Sequence, residues 1–141
     1  MTPEKKLLVA KQLDALGVDI IEAGFAAASE GEMEAIKLIT KEGLRAEVCS
    51  FARGVKGDID AVLESGVNSV FLVIPESDIH IKNKLKKLRE DMLKLTEECV
   101  QYAKDHGLMV EFGPEDATKT DFQSKLANCS AFSGLEVFIN G

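Results

Sequence analysis

Gly17-Val18-Asp19-Ile20-Ile21 decides how this chain is read. A glycine closes a helical pattern, and a short apolar, β-branched run follows at once. Glycine accepts the left-handed conformation that ends a helix, and a brief apolar run bounded by such a stop reads as a buried strand. The same arrangement returns at Gly43-Leu-Arg-Ala-Glu-Val48, Gly66-Val-Asn-Ser-Val-Phe71 and Gly107-Leu-Met-Val-Glu-Phe112. Four helix–glycine–strand joints in a row predict alternating α/β structure, a parallel sheet with helical crossovers. The joints lie 26, 23 and 41 residues apart. A (β/α)8 barrel uses roughly 31 residues per unit, so the chain has the length of about half a barrel.

Outward from these joints, Thr2-Pro3-Glu4 reads as a helix start, with Leu7, Leu8, Leu13 and Leu16 as the apolar stripe that Gly17 ends. Ser29 and Glu32 form a capping box for a second helix whose Met33, Ile36 and Ile39 face inward. Strands are predicted at 18–21 running on to Phe25, at 46–51, 69–74 and 108–112, with a further one at 135–139. A short helix spans about 58–65, and residues 77–106 are helical in pattern, with the long helix starting near Lys86 or Leu88.

The 141 residues are 45% hydrophobic with a net charge of −7, enough for one sizeable core. The acidic balance argues against a nucleic-acid partner. The basic stretch Lys82, Lys84, Lys86, Lys87 and Arg89 reads as a solvated helix face. Three cysteines with no paired spacing predict a reducing compartment. No apolar leader and no run long enough to span a membrane is seen, so the expectation is a cytoplasmic protein with no membrane partner.

In parallel α/β folds, ligands lie beyond the carboxyl ends of the strands. That rule selects Glu22; Ser50 and Arg53; Glu76, Ser77, Asp78 and His80; and Glu115, Asp116, Thr118, Lys119 and Thr120. Carboxylates with a guanidinium and an imidazole suit a divalent cation or enolate chemistry on a carbonyl compound. Each also has a structural reading. Glu22 pairs with backbone or a neighbouring Arg, Arg53 and His80 face water, and Glu115 and Asp116 cap the next helix. His106 is a favourable charge at a helix C-terminus. No GxGxxG, P-loop, GxSxG or HExxH pattern is present.

Several longer motifs add to this. Ile21-Glu-Ala-Gly-Phe25 with Ala28-Ser-Glu-Gly31, Ala46-Glu-Val-Cys-Ser-Phe-Ala-Arg53, Val73-Ile-Pro-Glu-Ser-Asp-Ile-His80, Tyr102-Ala-Lys-Asp-His-Gly107 and Val110-Glu-Phe-Gly-Pro-Glu-Asp-Ala-Thr-Lys-Thr-Asp121 occur in order. Together they resemble the isopropylmalate, citramalate and homocitrate synthases, most of all the archaeal-type isopropylmalate synthases. The resemblance implies a partial TIM barrel, units two to five, beginning at the helix after strand one. It covers residues 1–121 as a partial catalytic domain and leaves 122–141 as a divergent tail. It implies a Claisen-type condensation of acetyl-CoA with a 2-oxo acid, with a divalent metal in the complete enzyme and a role in leucine biosynthesis. On the matched positions, Glu115 is the catalytic residue near the reacting centre, and Glu22, Arg53, Ser77, His80 and Thr118 line the substrate pocket. The family's Arg-Asp pair and His-x-His metal ligands have no counterpart here, so no metal-holding residue is expected in this chain, which alone is expected to be inactive and to self-associate. A related aldolase or lyase, and a non-catalytic half-barrel that pairs with itself, are the other readings.

Overall fold

The computed structural model describes residues 1–75, 85–115 and 137–139 of the chain. The elements run α1 (Pro3–Leu16), β1 (Ile20–Phe25), α2 (Glu30–Lys41), β2 (Glu47–Arg53), α3 (Lys56–Ser65), β3 (Ser69–Pro75), α4 (Leu85–Asp105), β4 (Met109–Glu115) and β5 (Val137–Ile139). The five strands form one sheet in the order β1-β2-β3-β4-β5, and every neighbouring pair is parallel. Sequential order combined with right-handed crossovers places every helix on the same side of the sheet. This is the pattern of a barrel wall, not of a doubly wound sheet, whose order reverses.

The four glycine joints are as the sequence predicts. Gly17, Gly43, Gly66 and Gly107 have φ of 90°, 71°, 82° and 85°, a region where a Cβ would clash. Thr2 and Ser29 cap α1 and α2 by accepting the N–H groups of Lys5 and Glu32. The strand expected at 135–139 is present as Val137–Ile139, and α4 begins at Leu85. Residues 76–84 and 116–136 lie outside the described residues. So do the site assignments at Ser77, His80 and Thr118, the start of the basic stretch at Lys82 and Lys84, and most of the 122–141 tail.

The core lies between helices and sheet. Ile36, Ile39, Ile59, Val62, Val70, Leu72, Val100 and Val110 are all essentially inaccessible. Burying side chains of this size gains roughly 1.5–3 kcal/mol each.

One expectation fails. Leu8 and Leu16 are 62% and 78% exposed and Leu13 is exposed too, while Ala10 is the buried residue of α1. Lys6 and Asp14 fix the helix rotation: Lys6 pairs with Glu32 on α2, and the Asp14 carboxylate accepts the Ala46 N–H at 2.8 Å. The Lys6, Ala10, Asp14 row therefore faces α2 and the sheet, with Leu7 half-buried beside it. Leu8, Leu13 and Leu16 lie off this row and stay exposed.

Candidate active site at the open face and carboxyl rim

Strand alternation divides the sheet into two faces. Val70, Leu72, Val110 and Phe112 point into the helix layer. Ile20 and Glu22 on β1, Glu47, Cys49, Phe51 and Arg53 on β2, Ser69, Phe71 and Val73 on β3, and Met109, Glu111 and Gly113 on β4 take the opposite, open face. Ile20 and Met109 are 48% and 46% exposed there. In a closed barrel this face would be the lumen.

The open face is layered. At its floor are Glu22, Glu47, Cys49 and Ser69, with Glu22 level with Cys49 and Cys49 level with Ser69. Above them is an aromatic layer of Phe25, Phe51 and Phe71, with Phe25 and Phe51 packed edge to face at 5.1 Å. Glu111 shares the Phe71 level. The Phe71 ring lies across β4 where Gly113 has no side chain; a Cβ there would sit 2.6 Å from the ring.

At the rim, Arg53 closes β2. The Asp58 carboxylate, in the first turn of α3, accepts the Arg53 Nε at 2.7 Å, its Nη2 at 3.1 Å and its main-chain N–H at 3.1 Å. The guanidinium also lies 5.1 Å from the centre of the Phe25 ring, a cation–π contact. Asp58 is buried and the Arg53 side chain is 60% exposed. Burial pushes the Asp58 carboxyl up, but the Arg53 bonds and charge outweigh it and hold the group below the usual carboxylate range. With Nε and Nη2 committed to Asp58, Nη1 is the guanidinium nitrogen without a partner among the described residues.

Below the rim, Glu22 is open to solvent on one side and crowded by the sheet on the other. This crowding first, and the nearby Glu111 second, raise its pKa. Burial, then Glu22, Glu111 and Glu47, push the Cys49 thiol up to about 12. The floor is thus a cluster of negative charge around an inert thiol. Cys49 and Cys99 are both free and buried.

Of the sequence-predicted residues, Glu22 and Arg53 share the open face but are not adjacent. Glu22 is level with Cys49 and lies four residues below Arg53, about 13 Å along the strands at 3.3 Å per residue. Glu115 ends β4 level with Pro75, two residues beyond the Gly113–Val73 pair, at the same carboxyl end as Arg53. Ser50 is not a rim residue. It is fully buried and staples the turn after β1, accepting the Ala26 N–H and donating to the Gly24 carbonyl at 3.0 Å. Asp58, Glu47 and Glu111 were not picked out from sequence. The period-2 series Glu47, Cys49, Phe51, Arg53 carried the signal for Glu47, whereas nothing local marks Asp58 as the partner of Arg53.

No group of three or more His, Cys, Asp and Glu side chains converges as a metal site among the described residues. The described part of the open face does not by itself fit a divalent cation. No described helix is long and apolar enough to cross a membrane.

The sequence pattern of the HMGL-like family matches residues 1–138. The (R)-citramalate synthase of Methanocaldococcus jannaschii is 57% identical over 130 residues, covering 91% of this chain and 26% of the relative. The 2-isopropylmalate synthase of Sulfolobus acidocaldarius is 52% identical over 122 residues, covering 86% of this chain and 32% of the relative. Among solved structures, the HMG-CoA lyase of Bacillus subtilis superposes with a TM-score of 0.76 at 15% identity, covering 97% of this chain and 49% of that one. A xylose isomerase-like TIM barrel from Mycobacterium smegmatis follows at 0.59 and 13% identity. The chain therefore spans about a quarter to a third of the synthases it matches and about half of the lyase.

Proposed function

Because the chain belongs to the HMGL-like family, we propose that it forms part of an acyltransferase condensing acetyl-CoA with a 2-oxo acid, active once the remaining β/α units complete the barrel. The observation that carries this reading is identity above 50% to synthases over at least 86% of the chain, including the strands that build the open face and rim. The reaction removes a proton from the acetyl methyl, joins that carbon to the 2-oxo carbon, protonates the resulting alkoxide and releases CoA by hydrolysis of the thioester. The complete enzyme is proposed to use a divalent metal, which the described residues of this chain do not themselves hold.

In this proposal Glu115 is the carboxylate beside the reacting carbon. Arg53, fixed by Asp58 and Phe25, presents positive charge at the rim, where stabilisation of developing negative charge is worth most. Glu22, Ser77, His80 and Thr118 line the substrate pocket. Both product classes named among the relatives stay in the proposal: (R)-citramalate, from pyruvate, and 2-isopropylmalate, from a 2-oxo acid bearing an isopropyl group. Citramalate is placed first because that name accompanies the 57% identical relative. The isopropylmalate reading, and with it leucine biosynthesis, is second. The two acids differ by two methylenes' worth of apolar volume, a difference worth only ~1–3 kcal/mol per methylene in a pocket.

The test is to graft the chain into the M. jannaschii synthase in place of the 130 residues it matches, and to follow CoA release with a thiol reagent. Turnover with acetyl-CoA and pyruvate, lowered at least 100-fold by Glu115→Gln with little change in KM, is the expected result. A folded graft that releases no CoA with either 2-oxo acid refutes the proposal.

A further inference from the structure

Two polar atoms on the floor of the open face have no hydrogen-bond partner among the described residues. They are Glu47 Oε1 and the hydroxyl of Ser69, both shut off from solvent. Ser69 is 5% exposed and lies beside Cys49 in the sheet register. Glu47 is two residues before Cys49 on the same face, so the two orphans flank one point. Buried polar groups in native proteins find partners. Glu47 as a whole is half-buried, but its shut-off oxygen Oε1 calls for a donor or a cation.

The described part of the chain offers none. Arg53 is the one cation on the open face among the described residues, and it is six residues up β2 and bound to Asp58. Acting on the same floor are the carboxylates of Glu22 and Glu111. A second copy would bring its own Glu22, Glu47 and Glu111 to the contact, and like charges brought together in a desolvated interface repel strongly. The superposition on half of a complete lyase barrel leaves room for a different occupant.

We infer that the open face is closed by a polypeptide layer, the remaining β/α units of the barrel, that delivers a lysine or arginine to the Glu47–Ser69 floor. This rests on the barrel reading above and adds the chemistry that the closing layer carries. The cation would bond Glu47 Oε1. The Ser69 hydroxyl would accept from the same head group, and the floor's negative field would lose its self-repulsion.

The test compares Glu47→Gln in two settings by urea unfolding: the free 141-residue chain and the chain grafted into the M. jannaschii synthase. In the free chain, E47Q leaves the midpoint unchanged or raises it, because a carboxylate oxygen without a partner is removed. In the graft, it lowers the folding equilibrium constant roughly 30-fold or more, the effect of leaving a buried cation unpaired. Replacing in turn each lysine and arginine of the host segments by Met identifies one whose loss equals that of E47Q and adds nothing to it. A folded graft in which E47Q behaves as in the free chain, or in which no host cation is coupled to Glu47, overturns the inference and leaves the barrel reading standing. A graft with native Glu47 that does not fold overturns both. A free E47Q chain that fails to fold means Glu47 already has an essential partner within this chain, and also overturns the inference.

Discussion

Replacing Asp58 by Asn or Ala measures how the rim is held. Asp58 is buried and makes three bonds, all to Arg53, and these are not equal. The bond from the Arg53 main-chain N–H joins a buried carboxylate to backbone. Hydrogen bonds to charged groups contribute about 1.5–3 kcal/mol. The two guanidinium bonds belong to a side chain that is 60% exposed, and screening reduces such a pair to about 0–1 kcal/mol. Negative charge in the first turn of α3, whose N-cap Val55 supplies no side-chain bond, adds about 0.3–1 kcal/mol. Asp58→Ala should therefore cost about 3 kcal/mol and Asp58→Asn, which keeps one acceptor, about 2 kcal/mol, on the same contributions. Arg53→Ala leaves the main-chain bond and the helix charge in place and loses the exposed pair and the Phe25 contact, about 1 kcal/mol. Equilibrium urea unfolding of the three variants gives the ranking. If R53A costs as much as D58A, the guanidinium and not the backbone bond holds the turn, and this reasoning is wrong.

Two further outcomes follow from the open face. Gly113→Ala puts a methyl 2.6 Å from the Phe71 ring. It should destabilise by about 1–3 kcal/mol, most of which disappears in a Phe71→Leu background; equal costs in both backgrounds in urea melts would contradict the packing argument. Glu22 has a raised pKa, so the folded state holds its proton more tightly than the unfolded chain, where the ordinary value is 4.5. Its contribution is present below pH 4.5 and is lost as pH rises through the folded pKa. Glu22→Gln should accordingly gain on the native chain between pH 4 and pH 7. Asp58 acts with the opposite sign: its pKa is lowered, and its contribution, present above the ordinary 3.8, fades as pH falls further. Unfolding free energies at pH 3, 4 and 7 separate the two, and an E22Q effect independent of pH would remove Glu22 from the account.

The parts of the fold legible in the sequence are those set by local stereochemistry. A left-handed glycine before an apolar run is a covalent requirement of the backbone, so Gly17, Gly43, Gly66 and Gly107 mark the four joints whatever surrounds them. Which side of a helix faces the sheet is not local in this sense. α1 carries Leu8, Leu13 and Leu16, all exposed, and Ala10, which is buried, and by size alone the leucines should be inside. The choice is made 26 to 32 residues away, by the Glu32 that takes Lys6 and the Ala46 N–H that takes Asp14. The same distinction runs through the site. Arg53 closes its strand, as the rule that strand ends carry function expects, whereas Glu22 lies within β1 on the floor of the open face. Their separation, and the binding of Arg53 to Asp58, depend on strand register and on α3, which no spacing rule encodes. The exposed apolar residues of α1 and the acidic floor of the open face then have one physical explanation. Each is a surface whose free energy is favourable only against a partner: apolar strand and helix at the edge, positive charge at the floor. A sheet that carried both without such a partner would expose Leu8, Leu16 and Ile20 to water and leave Glu47 and Ser69 unbonded, at a cost of about 1–3 kcal/mol for each buried polar group without a partner. Against a total stability of only about 5–15 kcal/mol for a domain, that is too much to be incidental, and it is the strongest physical reason to regard this sheet as one wall of a closed barrel.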